Sequence, residues 1–171
     1  MYKSAFITEK DGEQELKQKL DTLEIQLYRM QENVKAIAKK SSIISINQTK
    51  DENWVVVYAN RQADSFQIML HECTKPYRGK WDSAIEVEYK SETTIHINDI
   101  KGIKNKGFGS VLMEHLKEIA RDENKQYITG DIVERDFDHV RRLAYFYTKH
   151  YFDVKIDHWE QCGEIIWQQS Q

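Results

Sequence analysis

Proline and cysteine are what this sequence has least of: one Pro and two Cys in 171 residues. The single proline, Pro76, excludes proline-rich linkers. Cys73 and Cys162 make neither a disulfide framework nor a zinc site, so two reduced thiols and a cytoplasmic setting are expected, with no metal. No apolar run approaches the roughly 18 residues of a membrane-spanning helix. Residues 1–8 lack the apolar stretch of a signal peptide. An excess of positive charge is also missing. The net charge is -3 and the pI about 6.1, so no global field favours nucleic acid. No repeat occurs at solenoid spacing. What remains is enough for a core, with 40% hydrophobic residues, and much surface, with 31% charged residues and a mean hydropathy of -0.73. One domain with an extension fits this length.

The extension is a helix. Nothing interrupts residues 8–40 except Gly12, which is expected in the first turn, with Thr8 or Asp11 as its cap. Residues 2–7 read as a short strand or a frayed end. Leu16, Leu20, Leu23, Leu27, Met30, Val34 and Ile37 alternate spacings of four and three, a strict heptad seam. Acids gather at its start and lysines at its end, matching the helix dipole. Two arrangements satisfy the seam. The helix pairs with its copy in a homodimer through residues 9–40, or with a partner, or it folds back on its own sheet. Residues 1–41 are therefore one unit and residues 42–171 another.

Five strand-like runs follow: 43–47, 54–60, 65–72, 84–90 and 93–99. Short polar turns join most of them, as in an antiparallel meander. The longest connection, 73–83, holds Lys75, Arg78 and Lys80 with Tyr77 and Trp81. It reads either as a substrate-facing loop or as a surface loop whose aromatics cover a core edge. Next comes Lys104-Asn105-Lys106-Gly107-Phe108-Gly109-Ser110, then an amphipathic helix to about Arg121. A strand, a basic glycine loop and a helix start make an anion site. The first N–H groups of a helix lack intrahelical partners, and its dipole adds positive charge there. Lys101, Lys104 and Lys106 add full charges. Gly109 is followed by Ser110 and not by lysine, so this is no P-loop. A strand at 127–133, a helix at 137–150 capped by Asp136, and strands at 152–156 and 165–167 complete the chain, with a turn at Cys162-Gly163.

This order, with these residues, resembles the GCN5-related N-acetyltransferase (GNAT) superfamily over roughly residues 84–156. In that family the pyrophosphate of acyl-CoA sits on a loop of the form R/Q-x-x-G-x-G/A. Lys104, Gly107 and Gly109 match it, with lysine in place of Arg or Gln. A late pattern like F/L-Y-x-K-x-G-F is matched by Phe146-Tyr147-Thr148-Lys149-His150-Tyr151-Phe152, with Tyr151 where glycine is common. The resemblance implies an α/β (α+β) fold with a mixed, largely antiparallel sheet of the acyl-CoA N-acyltransferase type. Here a long N-terminal heptad helix over residues 2–40 either replaces the family's usual front strand and helix pair or is an appendage to a trimmed core that starts at Ile43.

By the same resemblance the co-substrate is acetyl-CoA. Asn98, Asp99 and Ile100 contact its pantetheine arm. Lys104, Asn105, Lys106, Gly107, Phe108, Gly109 and Ser110 hold its pyrophosphate. Tyr147 matches the family's frequent general acid for the leaving thiolate. His96 and Glu134, near the two splayed strands, are candidate bases, and Asp99 is a further one. Each has a structural alternative: Tyr147 also lies on the apolar face of its helix, a lone strand histidine commonly packs, and Glu134 reads as solvated. The implied function is N-acetyl transfer to a primary amine, on a small molecule or a protein, by direct attack. The alternative is a non-enzymatic module of this fold acting through its coiled-coil helix.

Overall fold

The computed structural model describes residues 3–170, with side chains over 11–170. Helix α1 (Lys3–Ala38) leads into strands β1 (Ser42–Gln48), β2 (Trp54–Arg61), β3 (Ser65–Glu72), β4 (Ser83–Tyr89) and β5 (Thr94–Gly102). Helix α2 (Phe108–Asp122), strand β6 (Tyr127–Ile132), a 3-10 segment (Glu134–His139), helix α3 (Val140–Lys149) and strands β7 (Asp153–Asp157) and β8 (Cys162–Gln168) follow. The eight strands form one sheet in the order β1-β2-β3-β4-β5-β6-β8-β7. Only β5 and β6 pair in parallel; every other neighbouring pair is antiparallel. No helix among the described residues is long and apolar enough to cross a membrane.

Alternation within the strands sets the two faces of the sheet. Val55, Val57, Ile68, Leu70, Ile85, Val87, Ile95 and Ile97 meet Phe108, Leu112 and Leu116 of α2 and Tyr147 of α3 in the main core. On the other face Val56, Tyr58, Met69, Cys73 and Ala84 pack under Ile37, with Met30, Val34, Tyr77 and Trp81 beside them. The strand and hairpin pattern is thus as expected, with boundaries shifted by a residue or a few.

Four local expectations are corrected. Lys3 to Ile7 begin α1 and form no strand, because no breaker separates them from a helix that is already nucleated. Met1 and Tyr2 lie outside the described residues. Gly12 therefore sits in the helix interior, away from the first turn. The helix expected over 137–150 begins only at Val140. Asp136 caps the preceding 3-10 turn, its carboxylate accepting from the Val133 N–H at 3.0 Å. Cys162 and Gly163 belong to β8, and the chain reverses just before them, where Asp157 accepts from the N–H groups of Trp159 and Glu160.

The heptad seam divides. Ile37 is buried on the protein's own sheet, and Met30 and Val34 pack partly against it, whereas Leu16, Leu20, Leu23 and Leu27 are all more than half exposed. The fold-back arrangement thus holds over the last turns of the helix, and the leucines before them lie open. Within the packed part Asn33 ties α1 to the 73–83 connection. Its amide donates to the Lys75 carbonyl at 3.0 Å and accepts from the Tyr77 N–H at 2.8 Å. Tyr77 packs edge-on against Tyr58 and His71, so this loop covers a core edge beneath α1.

Asn33 is 3% exposed, so Asn33→Ala leaves the Tyr77 N–H without a partner and takes one of two donors from the Lys75 carbonyl, which His71 Nε2 also meets at 3.0 Å. The variant is expected to lose about 2 kcal/mol of stability, read as a lower urea midpoint with an unchanged m-value.

Candidate functional site

The site starts with a break in pairing. β5 and β6 are paired only from Thr94 opposite Tyr127 to Ile97 opposite Gly130. Beyond that point both strands continue, to Gly102 and Ile132, without bonding to each other. The cause lies on the far side of β5. Its register with β4 shifts between Glu86–Asp99 and Val87–Ile97, so Asn98 is one residue too many for the ladder. Such a bulge bends the strand that carries it. β5 swings away from β6 and leaves a wedge.

A cavity of about 190 Å³ fills the wedge. His96, Asn98, Asp99 and Ile100 line it from β5, Asp131 and Ile132 from β6, Arg135 and Asp136 from the 3-10 turn, and Leu143 and Tyr147 from α3. Tyr147 is 7% exposed. Burial, and then the carboxylates of Asp136 and Asp99, push its phenol well above the ordinary value, so it keeps its proton at any physiological pH. His96 bridges the strands that stay paired. Nδ1 lies 2.8 Å from Thr129 Oγ1 and Nε2 lies 3.3 Å from Asp131 Oδ2. In the neutral ring this places the N–H toward the carboxylate and lets the Thr129 hydroxyl donate to Nδ1.

A second cavity of about 360 Å³ shares Ile100 and Leu143 with the first and runs over the glycine loop. Asn105 and Gly107 have positive φ, 64° and 77°. Gly107 is the N-cap of α2 with no side-chain cap, and the first turn of α2 contains no acid. The leading N–H groups of α2 are therefore left for an outside acceptor. A Cβ on Gly109 would come within 3.2 Å of the Phe146 ring, so glycine there permits the close seating of α3 on the loop. Lys50, Lys101, Lys104, Arg142 and Lys149 line this cavity, and no Asp or Glu does.

Sequence reasoning and geometry part at several residues. Asn98, Asp99 and Ile100 line the wedge; Lys104, Asn105, Gly107, Phe108, Gly109 and Ser110 line the basic cavity. Lys106 does not. Its ammonium turns to Glu72 at 3.2 Å, because the Glu72 carboxylate is buried and needs a cation. The Ser110 hydroxyl is also engaged, 3.0 Å from His150 Nε2. Burial, then Lys117 and Lys149, lower His150 to about 4, so the ring is neutral and the serine hydroxyl can donate to it. Glu134 is exposed at the start of the 3-10 turn and lines neither cavity.

Other residues around the glycine loop had gone unnoticed. Arg142, Tyr145, Phe146 and Lys149 recur at helical spacing and present one face of α3 to the cavity, a signal the sequence did carry. Lys50 left no such signal. It reaches the loop because His115 Nε2 donates to Asn47 Oδ1 at 2.8 Å, fastening the end of β1 to α2. Its methylenes then lie within 3.7–3.9 Å of where a Gly107 Cβ would be. Among the described residues no group of three or more His, Cys, Asp or Glu is placed to hold a metal ion.

The sequence matches no protein-family profile. It is 46% identical to YocC, an uncharacterized protein of Bacillus subtilis (strain 168), over 162 residues that span 95% of this chain and 98% of that one. Among solved structures, the fold is similar to the GNAT domain of S. lividans PAT, with a TM-score of 0.55 at 8% identity, covering 77% of this chain and 98% of that one. It is also similar to a cAMP-binding acyltransferase from Mycobacterium smegmatis, with a TM-score of 0.54 at 12% identity, covering 78% of this chain but 50% of that one. The chain thus belongs to one family with YocC, and it has the GNAT acyltransferase fold.

Proposed function

We propose that the protein is an acyl-CoA-dependent N-acyltransferase that moves an acetyl group from acetyl-CoA to a primary amine in a ternary complex. The observation that carries this reading is the continuity of two cavities. A basic, acid-free one at a helix N-terminus meets, at Ile100 and Leu143, a wedge that holds Tyr147 and His96.

The fit to the donor follows from chemistry. Lys104 and the N–H groups of Gly107, Phe108, Gly109 and Ser110 suit a pyrophosphate. Lys50, Arg142 and Lys149 add charge for the further phosphate of a CoA. The pantetheine arm is a chain of amides. β5 beyond Ile97 has backbone groups freed from β6 to pair with them, as an added strand would. The thioester then lies near Tyr147. A neutral amine attacks the acetyl carbon, the C–S bond breaks, and the phenol of Tyr147 gives its proton to the departing thiolate. The proton released by the amine passes to the Asp131 carboxylate, which the His96 Nε2–H faces. Glu134, outside both cavities, has no part in this scheme.

Acetyl-CoA at 100 times its Kd is expected to stabilise the fold by about 2.7 kcal/mol, measured by thermal denaturation. No shift would sink the reading. A shift without thioester loss across a panel of primary amines would favour the non-enzymatic module. Lys104→Ala should weaken acetyl-CoA binding about tenfold, the worth of one charge-assisted contact. Calorimetry reads the change.

Tyr147→Phe should lower kcat about 100-fold and leave the KM for acetyl-CoA nearly unchanged. The pH profile adds a check. A phenol with a raised pKa stays protonated, and so competent, until pH passes that raised value. Activity should therefore rise as the amine deprotonates and show no falling alkaline limb up to about pH 10. A limb falling below pH 9 would remove Tyr147 from the acid role.

A further inference from the structure

We propose that the acceptor is a free diamino acid, acylated on its side-chain amine while its zwitterionic head rests on Lys155 and Glu164. This rests on the acyltransferase reading and names the substrate class of that site.

The donor takes up the basic cavity, so the acceptor has to reach the wedge from elsewhere. Two further cavities border the wedge. One, of about 310 Å³, meets it only at Asn98. Its polar groups are turned on each other: Gln67 Nε2 donates to Glu86 Oε1 at 3.4 Å, and Lys101 Nζ lies 3.4 Å from the same oxygen. The other, of about 590 Å³, shares Asp131, Ile132 and Val133 with the wedge. Asp131 takes the proton from the attacking amine. The amine therefore sits at its carboxylate, and the rest of the acceptor lies in this larger cavity.

What the acceptor meets there follows from strand register. Asp131 is paired with Glu164 of β8, and Glu164 with Lys155 of β7. Directly paired residues point to the same face, so the three exposed side chains form one row across the sheet. They differ in the partners they already have. Lys155 and Glu164 meet each other at 3.3 Å. Among the described residues Asp131 pairs only with His96, at 3.3 Å. The remaining acid of the cavity, Asp157, is taken up by the N–H groups of Glu160 and Trp159, which draw its pKa down.

The row thus presents a lone carboxylate at the wedge and, one to two strands away, an anion and a cation side by side. The lone carboxylate suits an amine. The Lys–Glu pair suits a group carrying both charges, its carboxylate on Lys155 and its α-ammonium on Glu164. An exposed pair of this kind is worth little by itself, so it opens readily for a ligand. Strands about 4.8 Å apart set the pair about 5–10 Å from Asp131. At about 1.5 Å per bond, a side chain of three or four methylenes bridges that interval. Ile132, Val133 and Ile156 give it an apolar wall. A plain diamine leaves Lys155 unused, and a lysine inside a peptide has no α charges to offer.

The transfer balances. The side-chain amine arrives neutral, its nitrogen bonds to the acetyl carbon and the C–S bond breaks. Tyr147 protonates the thiolate, and the spare proton on nitrogen goes to Asp131.

The test measures thioester loss from acetyl-CoA with L-lysine, L-ornithine, cadaverine and an end-blocked peptide holding one lysine. L-Lysine or L-ornithine should exceed cadaverine and the peptide about tenfold in kcat/KM, the worth of a charge-assisted contact. Fragmentation of the product should place the acetyl group on the side-chain nitrogen. Lys155→Met and Glu164→Gln should each remove most of that preference by raising KM for the diamino acid with little change in kcat. Both should keep the melting shift with acetyl-CoA, which shows that they fold. Equal rates with cadaverine, acetylation of the α-nitrogen, or a preference that survives both variants overturns the proposal and leaves acyl transfer standing. So does acetyl-CoA binding without turnover of either diamino acid. Absence of any melting shift with acetyl-CoA sinks the acyltransferase reading, and the proposal with it.

Discussion

Two parallel strands that stop pairing halfway are what the rest of this molecule is arranged around. Backbone N–H and C=O groups have to be satisfied. A sheet that opens after Ile97 and Gly130 exposes those of 98–102 and 131–132 to whatever enters between them. The opening is cheap to hold because the extra residue, Asn98, is absorbed as a bulge against β4. Burial is unbroken elsewhere: Ile95 and Ile97 stay in the main core, and Gly130 lets Ile165 of β8 come close. The wedge is thus a local concession in a sheet that is otherwise continuous. α2 and α3 sit where its mouth needs walls.

The glycine loop at that mouth is fixed from the opposite face of the sheet. Arg29 and Asn33 of α1 hold the backbone of Thr74, Lys75 and Tyr77. Asp82, at the other end of that loop, accepts from the Glu72 N–H at 2.8 Å, takes Lys75 as an ion-pair partner and lies 3.3 Å from His71. The Asp82 carbonyl accepts from the Ile103 N–H at 3.1 Å. The Glu72 side chain pairs with Lys106. The Asp82 and Glu72 carboxylates are buried and would be costly alone. Together these contacts connect α1 to the segment that curves into α2. Lys106 is therefore better understood as a positioning residue for the loop than as a phosphate ligand.

How much of this was legible follows from what each residue depends on. Alternation in 65–72 and helical spacing in 108–120 depend on one element at a time, and those elements stand where the pattern put them. The Lys104-x-x-Gly107-x-Gly109 loop was legible because its backbone conformation is local. Lys106 was misplaced because its partner, Glu72, lies 34 residues away in sequence and only the tertiary fold reveals that a buried carboxylate is waiting. Lys50 was invisible for the same reason, since a pairing between His115 and Asn47 brings it in. The 3-10 turn at 134–139 escaped because its residues have ordinary helical propensity. Only Asp136, which bonds Val133, delays the helix.

The front of the chain shows how one sheet can tolerate a missing layer. β2 and β3 are joined by a tight hairpin, as the meander pattern led one to expect, and α1 is the one helix that precedes the sheet. The last turns of α1 cover only Val56, Tyr58, Met69 and Ala84 on that face. Further along, the same face carries Gln67, Glu86, Glu88, His96 and Asp131, all partly or fully exposed. Polar residues there need no cover, and so no helix is required for stability. Several of these acids are already matched, Glu86 by Lys101 and Glu88 by Lys90. The face is therefore not a bare negative field. On the proposed reading, an acceptor approaching His96 across it would be selected by the geometry of hydrogen-bonding groups more than by net charge, which fits a chain whose overall charge is close to balanced.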